Sequence, residues 1–233
     1  MVTSTGVTGL TATLQAGTFA NGNGNLTYTI TGTPSTSGTA IFALNIVGKT
    51  CTVTRTVAIA PHYGSNITDV EGNSYKTVYI GTQQWMGENL KVSKYSDGTT
   101  IPNVTNDSQW SNLTTGAWAY NNNDEANNAK YGKLYNWYAV NPTTNGNKNI
   151  CPTGWHVPSD AEWTVLTDFL GGDVAGGKLK EVGTINWKSP NTEAINVSLF
   201  TGLPGGLRDY NGDNYSIGSN DKRYGFSVRC LRD

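Results

Sequence analysis

CPTGWHVPSDAEWTVLTDFLGG, residues 151–172, contains the most legible element of the chain. Ser159-Asp160-Ala161-Glu162 has the form of a capping box, in which the serine hydroxyl takes an N–H three residues on and the glutamate reaches back to the serine N–H. Trp163, Leu166 and Leu170 then share a face and Gly171-Gly172 supplies a stop, so the spacing predicts a helix from Ser159. A shorter helix is expected over Ala175–Val182. Upstream, DVEGNSYKTVYIGTQQWMGENLK (69–91) alternates Tyr75, Thr77 and Tyr79 before an Ile80-Gly81-Thr82 turn and a second strand through Trp85, which makes a hairpin. NNNDEANN (121–128) reads as a solvated loop or helix entry. Tyr131, Leu134, Tyr135 and Tyr138 recur at i, i+3, i+4 and i+7, which suits an amphipathic helix better than a strand, although YNWY is also strand-friendly. Gly-rich turns (203–221) precede a last strand, Tyr224–Leu231.

The first sixty residues have a different composition. They hold 16 threonines, no Asp, Glu or Trp, and only Lys49 and Arg55 as charged side chains, whereas all seven tryptophans lie between Trp85 and Trp187. The shift places a boundary at Pro61–Gly64 and divides the chain into a β-module (1–61), a linker (62–68) that includes His62, and a second domain (69–233). Leu10–Leu14, Leu26–Ile30, Ala40–Val47 and Cys51–Ile59 read as strands separated by NGNGN, TPSTSG and a Val47-Gly48-Lys49-Thr50 turn. Four strands suggest a small antiparallel sandwich, only part of the roughly seven-stranded immunoglobulin type. Across the whole chain, Gly, Asn, Thr and Ser make up 101 of 233 residues, and 16 basic residues against 17 acidic ones leave no basic field for a nucleic acid or an anionic membrane. Nor does any apolar run reach the length of a membrane-spanning helix. Cys51, Cys151 and Cys230 show neither CxxC nor a zinc-type spacing.

Five stretches carry a resemblance: IGTQQWMGENLK (80–91), YGKLYNWYAV (131–140), CPTGWHVPSDAEW (151–163), FTGLPGGLRDYNG (200–212) and YGFSVRCLRD (224–233). They resemble the Fibrobacter succinogenes major paralogous domain, found in secreted and surface proteins of Fibrobacter and Bacteroidetes. The resemblance implies an α+β, C-type-lectin-like fold over 69–233, used for display and binding, with an Ig-like Thr/Gly-rich module before it. It also implies a Cys151–Cys230 disulfide in an oxidising, extracellular or cell-surface setting, with Cys51 left as a strand-buried thiol. One departure is plain: where relatives carry a long aromatic segment with a Trp-Trp-Ser-Ser element, Ile217–Asn220 here runs almost directly into Asp221-Lys222-Arg223.

Several residues are candidates for chemistry. Asp160/Glu162 and Asp124/Glu125 are the local carboxylate pairs a hydrolase would need, but the first pair already serves a helix start and the second reads as an acidic loop. His156, between Trp155 and Pro158, is expected to be a packed, hydrogen-bonded histidine. The Glu-Pro-Asn, Gln-Pro-Asp and Trp-Asn-Asp elements of calcium-dependent sugar binding are missing from the sequence. The turns at 69–73, 121–124 and 209–214 offer oxygens to a calcium ion, but ordinary turn chemistry also explains them, so no cofactor is assigned. Trp85, Trp137, Trp155 and Trp163 are expected in the core with Leu166, Phe226 and Val228, while Trp110, Trp118, Tyr120, Trp187, Tyr210 and Tyr215 are candidate ligand-facing aromatics. The expected function is non-enzymatic recognition or adhesion with a glycan or protein ligand. A structural subunit that self-assembles by strand exchange through the N-terminal module is the alternative, and a glycan hydrolase is a third reading.

Overall fold

Six strands, the longer ones rich in threonine and apolar residues, form in the first part of the chain: β1 (Val2–Thr3), β2 (Thr5–Gly6), β3 (Leu10–Leu14), β4 (Tyr28–Gly32), β5 (Gly38–Ile46) and β6 (Lys49–Val57). The computed structural model describes residues 1–17, 24–205 and 221–233, and these fall into two units, Met1–Ala60 and Pro61–Asp233. In the first unit two antiparallel three-stranded sheets form, in the orders β1-β3-β4 and β2-β5-β6. The chain crosses between the sheets at buried Ser4, whose Oγ accepts the Leu10 N–H at 3.3 Å. Leu10 and Ala12 of one sheet and Ala40, Phe42 and Leu44 of the other share one apolar cluster with Val7. Ile46 pairs with Lys49 across a two-residue turn in which Val47 and Gly48 both have positive φ, 49° and 82°. Cys51 differs from expectation, because it is exposed. It lies opposite buried Leu44, but β6 is the edge strand of its sheet among the described residues.

The second unit is mixed α+β. β7 (His62–Thr68), β8 (Ser74–Ile80) and β9 (Gln83–Met86) form a meander. The predicted 62–68 linker is thus an edge strand, with His62 opposite Tyr79 and stacked on its ring at 5.0 Å. The β8–β9 hairpin closes at Gly81-Thr82, where Gly81 has φ 62° and a side chain would strike the Phe169 ring.

Short elements follow: α1 (Asp107–Trp110), β10 (Trp118–Tyr120), α2 (Asn128–Tyr131), β11 (Lys133–Tyr135), α3 (Trp137–Val140) and α4 (Pro142–Asn145). The helix expected through Tyr131, Leu134, Tyr135 and Tyr138 is therefore two single turns around a strand. Gly132, at φ 68° and ψ −160°, breaks it, and Leu134 and Tyr135 instead pair with Ala119 and Trp118.

β12 (Trp155–His156), α5 (Asp160–Phe169), α6 (Ala175–Leu179) and β13 (Leu231–Arg232) complete the unit. Both hydrogen bonds of the Ser159–Glu162 capping box are present. α6 stops earlier than expected. The predicted strand Tyr224–Leu231 reduces to a bridge between Phe226 and Tyr135 followed by β13.

β13 sits between β12 and β9, giving a five-stranded antiparallel sheet in the order β12-β13-β9-β8-β7. Successive residues face opposite sides of a strand. Trp85, with Val78 and Ile80, accordingly packs on Leu166 of α5 and on Leu170, which caps that helix, while Met86 and Tyr75 pack in a second cluster with Leu90, Tyr135, Trp155 and the half-cystines. Cys151 and Cys230 are bonded across a sequence separation of 79, Cα to Cα 5.9 Å. Three expected core residues lie at the margin: Trp137 is half-buried, Trp163 is 36% exposed with its ring 4.5 Å from Trp85, and Phe226 is 38% exposed.

Candidate ligand-binding site

The aromatic residues singled out as ligand-facing do not form one surface. Trp110 is 1% exposed, packed on Ala117 and Ala119, with its Nε1–H donating to the Arg223 carbonyl at 2.5 Å. Trp118 is 7% exposed; its Nε1–H donates to the Ile101 carbonyl at 2.9 Å and the Lys133 Nζ lies 4.6 Å from its ring. Both are core residues, because the loops that carry them fold back over the unit. Tyr120 is half-buried at 5.0 Å from Trp118, and Trp187 stands apart, its Nε1–H on the Gly202 carbonyl at 3.1 Å. Tyr210, Tyr215, the 209–214 turn and most of the shortened 217–223 connection lie outside the described residues.

The candidate acidic pairs are engaged locally. Asp124 Oδ1 accepts the Ala126 N–H at 2.9 Å and Glu125 accepts the Tyr120 hydroxyl at 3.3 Å. Asp69 spends its carboxylate on Glu71 N–H, Asn73 N–H, the Asn73 amide and the Tyr75 hydroxyl, the last at 2.6 Å. Burial first, and then this carboxylate, push the Tyr75 pKa above its ordinary value. Among the described residues no group of three or more His, Cys, Asp or Glu is arranged to hold a metal.

What the fold does assemble is a groove of about 610 Å³ between two segments distant from one another in sequence. One wall is Trp137, Val140, Asn141 and Pro142, with the turn from Asn147 to Ile150; the other runs from His156 to Asp160 at the start of α5. Local amide chemistry shapes the walls. Asn141 Oδ1 caps α4 by accepting the Thr143 N–H at 2.9 Å. Asn145 ties the turn together, donating to the Ala139 and Lys148 carbonyls and accepting the Lys148 N–H, each at 2.9 Å. Gly146 and Asn147 both take positive φ, 76° and 60°, a conformation asparagine tolerates better than other side-chain-bearing residues. Asn147 is left exposed at the rim; its backbone N–H donates to the Pro142 carbonyl at 2.9 Å, and its side-chain amide has no hydrogen-bond partner among the described residues. Trp137 is half-buried, with the Lys222 Nζ 4.2 Å from its ring centroid.

At one end of the groove His156 is clamped. Its Nδ1 is 2.7 Å from Asp233 Oδ1 and its Nε2 2.8 Å from Glu162 Oε1, the arrangement of an imidazolium donating from both nitrogens. Partial burial disfavours the charge, but hydrogen bonds and attraction from the two carboxylates outweigh it and raise the His156 pKa. Glu162, partly desolvated, is nonetheless held below its ordinary value by Ser159 and His156. The histidine is thus packed and bonded as expected, but through carboxylates. The groove itself was not foreseen; its one early signal was Trp137 and the Asn/Pro/Gly-rich run 141–149 flanking the CPTGWH motif.

The second unit is thus a disulfide-closed α+β domain with an amide- and aromatic-lined groove, a class that by itself assigns no chemistry. Residues 78–226 match the family model of the Fibrobacter succinogenes major domain, and the chain belongs to that family. No curated protein and no solved structure matched in the corresponding comparisons.

Proposed function

We propose that the second unit is a non-catalytic recognition module of C-type-lectin-like type, working outside the cell, and that it takes a glycan in the Trp137–His156 groove. The observation that carries the reading is the groove's lining: an indole, the exposed amide of Asn147, the half-buried amide of Asn141, and apolar Val140, Pro142, Ile150 and Val157. Flat apolar faces beside outward amides suit the alternating apolar faces and hydroxyl edges of a sugar chain. A non-catalytic role is supported by the commitment of Glu162 to Ser159 and His156 and of Asp124 and Glu125 to their own loop. The test is capture of the full chain on a glycan array. Asn147→Gly removes the rim amide without straining a positive-φ position, and it should cut the signal several-fold with Tm unchanged. Equal capture by the variant contradicts the site.

A second reading concerns the first unit, taken as an incomplete Ig-like sandwich that accepts a strand in a surface assembly. It is favoured by β6, a nine-residue strand paired on one side only. It is also favoured by a cavity of about 160 Å³ lined by Leu26, Tyr28, Ile30, Phe42, Leu44 and Val53. Unpaired edges of this length are templates for another strand. Sedimentation across a concentration range should then reveal association that Val53→Lys abolishes; a monomer at every concentration rules it out.

A further inference from the structure

Arg229 occupies an unusual position for its charge. It stands in Val228-Arg229-Cys230-Leu231, between a buried valine and a buried half-cystine, and is itself 7% exposed. Its guanidinium lies 4.3 Å from the Phe200 ring centroid. Nε donates to Asn89 Oδ1 at 2.8 Å, Nη2 to the Thr201 carbonyl at 3.0 Å and Nη1 to the Phe200 carbonyl. A guanidinium has five N–H donors, so two are left with no acceptor among the described residues, and none of the three acceptors carries a charge. Burial lowers the pKa to about 9 and Glu88 opposes that shift, so the group is still charged at neutral pH. A buried charge with no carboxylate in hydrogen-bond contact is costly, and an anion that reaches it offsets part of that cost.

The guanidinium lines a cavity of about 280 Å³ whose other residues include Tyr63, Lys76, Glu88, Lys130 and Glu181. Glu88 already accepts the Lys76 N–H at 2.8 Å and Glu181 the Asn186 amide at 2.7 Å. Three cationic side chains against two carboxylates leave one positive charge unmatched, which suits a monoanion better than a phosphate dianion. At the rim, Tyr63 is 58% exposed and presents an aromatic surface.

We infer that this pocket is a binding site for a carboxylated sugar, a uronic acid unit whose carboxylate meets Arg229 and whose apolar ring face stacks on Tyr63. Only the choice of a sugar rests on the glycan-recognition reading. The pocket and the Trp137–His156 groove share no lining residue, so the two sites fail separately.

The experiment is a titration of the full chain, labelled with nitrogen-15, against sodium glucuronate, sodium galacturonate, glucose and sodium acetate. A uronate should shift the Arg229 Nε–H and the Tyr63 amide together, binding at least about fivefold more tightly than acetate or glucose, the order expected of one added charge-assisted or stacking contact. Tyr63→Ala and Lys130→Gln change exposed side chains and leave the fold intact, and each should weaken the uronate by about threefold or more. Glucose or acetate acting as strongly as the uronates, no shift at Arg229, or variants that bind like the parent would each overturn the inference.

Discussion

His156 ties β12 to both α5 and the C-terminal residue, and its protonation makes that tie dependent on pH. A group whose folded pKa exceeds its unfolded value stabilises fully below the unfolded value, and the benefit fades as pH rises through the folded one. His156, raised above 6.5, behaves this way; Glu162, lowered below 4.5, has the opposite sign and loses its contribution as pH falls through its folded value. Together they predict a Tm that is highest between about 4.5 and 6.5 and declines as pH rises through the raised histidine value. His156→Gln should lower Tm within that plateau and flatten the alkaline decline. Thermal melts of parent and variant across this range check it, and a parent curve already flat on the alkaline side contradicts it. Aromatic content alone does not mark a binding surface here. Trp110 and Trp118 bury their rings and pass their indole N–H groups to carbonyls, so their loop context in the sequence said little about exposure. Trp163, one turn into α5, lies far enough out that its truncation should cost less than the roughly 3–5 kcal/mol of a fully buried tryptophan.

Among the elements, the β5–β6 hairpin carries a local conflict. A two-residue turn with both φ values positive matches strand twist and favours Asn-Gly, yet Val47 supplies a β-branched residue at φ 49° that is 94% exposed. Nothing is gained from its packing, so Val47→Asn should stabilise the first unit by about 1 kcal/mol. Denaturant unfolding followed on that unit measures it, and an unchanged or lower midpoint refutes it. Elements that depend on neighbours in sequence were legible: α5 through its capping box, β3 through alternation, and the β8–β9 hairpin through Gly81. Elements made by distant partners were not. β11 has a helical apolar period, but Gly132 releases the chain and the pairing of residues 133–135 with 118–120 decides its state. β7 is a largely exposed edge strand with no apolar alternation to mark it, and β8 creates it.

For the molecule as a whole, the Cys151–Cys230 bond closes a loop that contains one wall of the groove, residues 156–160, together with α5 and α6. A loop of this length should stabilise by about 4 kcal/mol through the unfolded chain. Reduction should therefore lower the midpoint of the second unit, while exposed Cys51 should be the one thiol that reacts before reduction. Three reactive thiols in the unreduced denatured chain contradict the bond. The bond followed from the family motifs, whereas the groove did not, because Trp137 reads alone as a core residue and Asn141 and Asn147 as turn residues. Only the meeting of 137–150 with 156–160 gives them a common surface, and Arg229 is hidden in the same way behind its motif.

The central claim, that this groove takes a glycan, is tested most directly by the indole N–H signals of the seven tryptophans during titration with cellohexaose, xylohexaose and mannohexaose. At least one of these saccharides should shift Trp137 together with the Asn147 side-chain amide, while buried Trp85 and Trp110 stay still. A saccharide that shifts Trp187 alone, or an absence of movement at Trp137 with all three, contradicts it.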